Sequence, residues 1–552
     1  MASRSGNQQQ RNRHRQYQRK QQAKRSSKKR SYNPFKQLTR NQSEVARRLI
    51  DGEVTMLSHA GWGFVERFLV FLHELGIYEL LKVDGHRFYR QMFNLSLLLI
   101  TYEIKVLLGI SSMNQLGTRL FKDLALLRLI GYTADQLASG FCRRGKQDSQ
   151  KPLHKNTLAD AVEKLTHQEL EQIFNGAIQR LAARGVFTSS NGVFALDSSD
   201  LETTTKYQGR GCRTKQEKHF SKGKIVTIER ITYGFKVFAL YEVQKRIVVA
   251  LRVRPIHEHD SNYTLELVEQ AKKNLGVGVL KVLLIDRGFL DGETLWTLKN
   301  ELRIDFVLPA KRNMCVTQDA RALAYEKPDG AYIFTAQRLP DTIKGICGVT
   351  LTGLKGLISY ERYGDAAHQK TKNRKDFVAN PINTIVITSF KGVVPEVGKE
   401  RVFLTSLGVS DPLVIFDHYD LRSLIENRLF RELKQGWCLT SFPKKSFAAV
   451  RFDAVRAHVV LSVLMFNLTN SYRTQLGQDI TQRGIRCQRL AWHTPNKVMI
   501  FAGGYYGIFD LEEILILLGS TPEICWRVDP REVKRRYRWP PSDASATLPM
   551  AA

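Results

Sequence analysis

A chain of 552 residues exceeds what one ordinary hydrophobic core organises, so two or three packed units with tails are expected. Its 43% hydrophobic content suits a soluble globular protein, and its formal net charge of +31 points to a polyanionic partner, nucleic acid ahead of an acidic membrane surface. The seven cysteines are scattered, with no Cys-x-x-Cys pair and no His at ligand spacing, which argues against structural zinc and for a reduced cytosolic setting.

Residues 1 to 40 carry thirteen Lys and Arg and no Asp or Glu, leaving more than half of the net charge on the rest of the chain. Such a stretch, rich in Gln and Ser, cannot bury a core and reads as a disordered basic arm; it lacks the apolar run of a secretory signal. The longest apolar runs, such as Val459 to Leu468, are too short to cross a bilayer, so no membrane partner is expected.

From about 45 to 187 the pattern is helical: Phe64, Phe68, Phe71, Leu72 and Leu75 recur at helical spacing, as do Leu158, Val162 and Leu165. Capping-box signals over Thr133 to Gln136 and Thr157 to Asp160 predict two helix starts. Short helices such as those in FKDLALLRLIGYTADQLASGF are compatible with a helix-turn-helix DNA reader and equally with a plain bundle.

From 192 the period changes. GVFALD reads as a strand ending at Asp197, ITYGFKVFALY and RIVVALRV as two more, and DSNYTLELVEQAKKN as a helix capped near Asp260 or Ser261. VGVLKVLLID is a buried strand ending at Asp286, GETLWTLKNEL a helix and IDFVLPA a strand, so an antiparallel meander enters an α/β sheet. Residues 310–405 read as a separate β-rich insertion. A helix over YDLRSLIENRLFRELK follows, then a long helix from Ser446 to about Gln475, the segment KVMIFAGGYYGIFDLEEILILLG, and a tail rich in Pro, Ser and Ala that should be disordered.

Asp197 and Asp286 each end an apolar strand, where functional groups of open sheets gather. A single such Asp usually caps a turn; two on adjacent inferred strands, followed by Glu426, say more. At about 100° per residue, Tyr419, Arg422 and Glu426 share one helical stripe with Phe430 and Leu433, which predicts a semi-buried Glu426. Two explanations of its cationic surroundings (Arg422, Arg428, Arg431, Lys434) stand open: an i, i+4 ion pair with Arg422, or convergence with Asp197 and Asp286 around a divalent metal while the cations hold phosphates.

Between the first two strands, TTKYQGRGCRTKQEKHFSKGKI sets Lys206, Arg210, Arg213, Lys215, Lys218, Lys222 and Lys224 against Glu217 alone. This is either a phosphate-tracking loop near Asp197 or a solvated hairpin tip. Asp200, Asp260 and Asp291 read as turn or cap residues, and His257 and His259 as loop residues.

YDLRSLIENRLFRELK resembles the Tyr-x2-Arg-x3-Glu-x6-Lys signature of DDE transposases of bacterial insertion sequences, the branch of the insertion sequence four family. VFALDSSDLETT and VLLIDRGFLDGETL resemble its first and second Asp segments, and the likeness runs from about 115 to 515. The resemblance implies an α/β fold: a ribonuclease-H-like catalytic core with a β-rich insertion, for which the 140 residues from Asp286 to Glu426 leave room, and an N-terminal helical domain. It implies a division into a disordered basic arm (1–44), a helical DNA-binding domain (45–190), a first core part (191–309), the insertion (310–405), a second core part with C-terminal helices (406–525) and a flexible tail (526–552).

By the same resemblance Asp197, Asp286 and Glu426 are catalytic and bind Mg²⁺, for which Mn²⁺ can substitute. Tyr419, Arg422 and Lys434 correspond to the family's DNA-end contacts; Arg210, Arg213 and Lys215 of the basic loop are candidate DNA contacts on their charge alone. The signature sets its Lys at 433, which is Leu433 here; Lys434 comes one residue later, about 80° from Glu426 on a regular helix. Relatives that stack a flipped base on an insertion Trp differ from this chain, which has no Trp between Trp296 and Trp437; Tyr325, Tyr332, Phe334, Tyr360 or Tyr363 offers a substitute face. The implied activity is cleavage at transposon ends and transfer into target DNA by a homodimer on paired inverted repeats, in a bacterial cytoplasm at the nucleoid. A metal-dependent nuclease without strand transfer and a non-catalytic DNA- or RNA-binding derivative are the alternatives.

Overall fold

The computed structural model describes residues 38–60, 65–83, 93–139, 154–221, 224–326, 332–335, 348–361, 376–391, 394–395, 398, 400–443, 449–475, 497–519 and 529–537. Most of the expected arm (1–37), the basic loop 140–153 and the end of the tail (538–552) lie outside these residues.

The first part of the chain is mainly helical, as its periodicity predicts. Thr133 and Gln136 cap each other reciprocally at 2.9 and 3.0 Å. Thr157, by contrast, lies inside the helix Lys155–Glu163, which His154 caps by accepting from the Asn156 N–H. A capping box that the sequence reading passed over, Thr166 with Glu169, starts the helix His167–Ala183. Two strands interrupt the helical pattern, β1 (Thr39–Arg40) and β2 (Met56–Ala60).

The main sheet has eleven strands: β3 (Val193–Thr203), β4 (Gly211–Ser221), β5 (Lys224–Glu242), β6 (Ile247–Pro255), β7 (Val282–Ile285), β8 (Asp305–Pro309), β9 (Tyr332–Thr335), β10 (Gly348–Leu357), β11 (Ile382–Lys391), β12 (Val394–Pro395) and β13 (Arg401–Thr405). Their order is β4-β5-β3-β7-β8-β13-β11-β10-β9, with β6 also on β5 and β12 on β11. β5 pairs antiparallel with β3 and β6, whereas β3, β7 and β8 run parallel and are joined through the crossover helices Thr264–Leu275 and Gly292–Asn300. This mixed α/β arrangement, with helices on its flanks, is consistent with a ribonuclease-H-like core.

Two expectations change. The stretch after 310 does not stand apart, because β13 pairs with β8 and carries β11, β10 and β9 on as one sheet. The basic segment over 211–221 is not a loop but strand β4, paired along the first half of β5.

The long helix expected from Ser446 to about Gln475 runs from Phe452 to Gln475, and by length and composition Phe452–Thr474 could cross a membrane. It is instead a core helix, 83% buried over its most apolar window. Asn467 shows why: its side-chain oxygen accepts from the Val248 N–H and its amide donates to the Val248 carbonyl, each at 2.8 Å, pinning the helix to β6.

β14 (Lys497–Ala502) and β15 (Tyr505–Asp510) form a hairpin in a second sheet of order β1-β15-β14-β2. The chain's two ends therefore share one small unit. Val45, Leu49, Phe509, Ile514, Val533 and Tyr537 form part of its core. Residues 39–50 thus belong to folded structure instead of an arm, and Pro530–Arg536 is a helix instead of tail.

Candidate active site

The apolar run Val193–Leu196 is buried between β5 and β7, and its last parallel partner is Leu196 with Ile285. Asp286 follows directly on β7, but Asp197 does not end its strand as expected: β3 runs on to Thr203, held by β5 alone, so the two carboxylates lie at one level where the parallel pairing stops. Asp197 is 5% exposed, its Oδ1 accepting from the Ser198 N–H at 2.7 Å. Asp286 opens the 3-10 turn Arg287–Phe289 and keeps a third of its side chain exposed.

The third carboxylate comes from a segment that is not one regular helix. Pro412–Asp420 is α-helical, a turn carries Leu421 and Arg422, Ile425–Phe430 is a π-helix, and Arg431–Gly436 returns to α. The uniform 100° step therefore fails, and Glu426, expected on a semi-buried face, has a side chain 59% exposed. The π segment also bears on the displaced lysine. A π turn takes up one residue more than an α turn, so Lys434 comes back by about 100° toward the position a regular helix would give residue 433. Leu433 in turn is fully buried.

Arg422 joins the carboxylates. One atom, its Nη1, lies 3.0 Å from Asp197 Oδ2, 3.8 Å from Asp286 Oδ1 and 3.8 Å from Glu426 Oε1. Its guanidinium sits over the Tyr419 ring at 5.5 Å, and that ring packs edge-on against Phe403 of β13 at 4.5 Å. Burial pushes the Asp197 carboxyl up to about 7; Arg422 and the Ser198 N–H pull it down, and the charges of Asp286 and Glu426 add to the rise. Burial also pushes the Tyr419 phenol up to about 12, against the pull of Arg422. For Arg422, burial works to lower its pKa, but Tyr419 and the three carboxylates outweigh it and raise it.

The donor set suits a hard divalent cation: three carboxylates converge within 4 Å of one positively charged nitrogen. Among the described residues, however, no group of three or more His, Cys, Asp or Glu is spaced to hold a metal ion as it stands. The carboxylates fit the ion in chemistry, and the Arg422 guanidinium occupies the point on which they converge.

The other basic residues lie beside this cluster. Alternation along β3 puts Asp200 and Glu202 on one face, where Arg213 pairs with Asp200, and Lys215 bridges Asp200 at 3.1 Å and Glu202 at 2.7 Å. Burial lowers the Lys434 pKa while Asp200 and Glu202 raise it, so Lys434 shares this patch and not the triad. Arg210 donates to the Tyr207 carbonyl at 2.8 Å and stacks over Tyr233, closing the turn before β4. Asp200 is thus an ion-paired strand residue and neither cap nor turn. Asp291 does cap a helix, and His259 caps a 3-10 turn.

Sequence reasoning missed a network behind the first two aspartates. Buried Lys236 donates to Asp260 Oδ1 at 2.7 Å and to the Glu258 carbonyl at 3.1 Å, and Ser198 Oγ lies 3.3 Å from the same Asp260 oxygen. Asp260 also abuts Gly288, where an added Cβ would come within 2.9 Å of its Oδ2. It therefore ties the segment after Asp197 to the segment after Asp286. The lysine of the YGFK stretch was its only mark in the sequence. Of the candidate stacking aromatics, Tyr360 is buried with its hydroxyl on the Asn380 carbonyl, whereas Tyr325 is 84% exposed. The side chains of Tyr332 and Phe334, and all of Tyr363, lie outside the described residues.

A mixed sheet with two aspartates side by side on neighbouring parallel strands where their pairing stops, met by a glutamate from a later helical segment, is the layout of a polynucleotidyl-transferase-like catalytic domain. The chain belongs to the Transposase DDE domain family, whose match spans residues 188–463 and so contains all three carboxylates. No curated protein matches it. Among solved structures it is similar to one described as "Cryo-EM structure of piggyBac transposase synaptic complex with hairpin DNA", at 10% identity over 92% of this chain and 87% of that one, with a TM-score of 0.34.

Proposed function

We propose that this protein is a DNA transposase that cleaves at the ends of its element and joins those ends to target DNA. The carrying observation is the contact of one guanidinium nitrogen with Asp197, Asp286 and Glu426, three residues far apart in sequence, inside the family match. The Tyr419, Arg422 and Glu426 spacing, with the π segment absorbing the displaced Lys434, supports the insertion sequence four branch.

In this reading Asp197, Asp286 and Glu426 would hold Mg²⁺, which would supply Lewis acidity for phosphodiester chemistry. Water attacks at the element's end and frees a 3′-hydroxyl; that hydroxyl then attacks a target phosphodiester in a second in-line displacement. No covalent protein intermediate is needed. Arg422, supported by Tyr419, binds the end phosphates, with Lys434, Lys215 and Arg213 alongside and Arg210 stiffening the turn between them. The net charge of +31 favours DNA as partner, with a homodimer holding two ends.

The test uses the unmodified chain and Glu426→Ala on DNA carrying the gene and both flanks, in Mg²⁺, with 3′ ends and joined products mapped. Discrete cuts with joining, lost in the variant, are expected. Cuts without joining would mean a nuclease, and binding without cuts a non-catalytic DNA-binding protein.

A further inference from the structure

We propose that Arg422 is a resident cation that makes metal loading and DNA engagement depend on each other; this rests on the transposase reading above. The three ion pairs at 3.0, 3.8 and 3.8 Å all run through Nη1, so the guanidinium stands where the carboxylate oxygens would meet a divalent ion. Mg²⁺ binds carboxylate oxygen at about 2.0–2.1 Å, and a second cation a few ångströms away repels it. Both cannot be held by the same three carboxylates at once.

Arg422 is also poised to leave. Its Nε is buried with no hydrogen-bond partner, and its planar fork is not used bidentately on any one carboxylate. A phosphate offers that fork two parallel bonds. The residue sits in the turn between Asp420 and Ser423 with its backbone N–H on the Tyr419 carbonyl at 2.9 Å, so the side chain has to move about a held backbone. A DNA phosphate that draws Arg422 away exposes the carboxylates to the ion, and by reciprocity the ion releases Arg422 to the DNA. Without DNA the carboxylates are neutralised from within, and metal binding is weakened.

Direct binding of Mn²⁺ to the full chain, read from the free-ion electron paramagnetic resonance signal, tests this without reference to turnover. In the absence of DNA, Arg422→Gln is expected to bind Mn²⁺ about ten-fold more tightly than the unmodified chain, within the usual range of coupling. Arg422→Lys, which keeps a competing charge, should stay near the unmodified value. A double-stranded fragment from the gene's flank should tighten Mn²⁺ binding to the unmodified chain by a similar factor and leave Arg422→Gln unchanged; Glu426→Ala with the same fragment gives the blank for ions held by DNA. Equal or weaker binding by Arg422→Gln overturns the proposal. If that variant does not fold, by circular dichroism, the DNA arm on the unmodified chain decides, and no DNA effect overturns it. Absence of any Mn²⁺ binding removes both the proposal and the metal reading, whereas intact coupling without end cleavage removes only the transposase assignment.

Discussion

Asp197 is the residue on which the site's electrostatics turn. Buried within β3 where its pairing with β7 stops, its carboxyl is pushed up to about 7 from 3.8. In the unfolded chain it is ionised above about pH 4, so between the two values the folded state binds more protons and stability falls as pH rises. The metal-free protein should lose melting temperature between pH 5 and 8, by an amount corresponding to no more than about 4 kcal/mol, and Asp197→Asn should flatten that slope. Thermal melts of both chains without metal check this, and parallel slopes would count against the assignment.

At the scale of elements, the π-helix Ile425–Phe430 decides which later side chains share a face with Glu426. Deleting Asn427, an exposed residue of that segment, should turn the π segment into a regular helix and, because the π turn already takes up that extra residue, leave Lys434 on the side of Asp200 and Glu202. End cleavage should survive that deletion; in Lys434→Ala it should fall at least about ten-fold, the order of one lost phosphate contact, with little change in circular dichroism. Unchanged cleavage would mean that Lys434 is not used. The π segment could not be read from periodicity, because Arg422, Glu426 and Phe430 fit an ordinary 3.6-residue stripe. Its one trace in the sequence was the lysine standing one residue late.

The whole molecule is closed by its termini. β14 and β15 near the C-terminus pair with β2 and β1 near the N-terminus, and Phe509 is fully buried between Val45 and Tyr537 in their shared core. Phe509→Ala should cost about 3–5 kcal/mol in this unit, seen as a lowered or split urea transition, with the site around Asp197 left intact. A second link joins the helical part to the catalytic segment: Tyr102 donates to His458 Nδ1 at 2.7 Å, and His458 Nε2 donates to the Cys438 carbonyl at 2.8 Å. Burial holds His458 down at about 3, so the ring is neutral and this tautomer is the one that satisfies both bonds.

By itself the sequence determined what local chemistry dictates. The apolar runs before Asp197 and Asp286 marked two strands, though β3 runs past Asp197 to Thr203; the charge pointed to a polyanionic partner, and the spacing of Tyr419, Arg422 and Glu426 singled out the third carboxylate. Those signals are short-range, carried by side-chain period and motif. Tertiary structure decided the rest, because it depends on which distant segments pair. It continued the sheet from β8 into β13, which made the stretch after 310 part of one sheet. It joined the two ends of the chain, occupied the polar faces of β3 and β4 with mutual ion pairs, and put the Arg422 guanidinium at the centre of the three carboxylates, where charge neutralisation inside a partly buried pocket requires a cation.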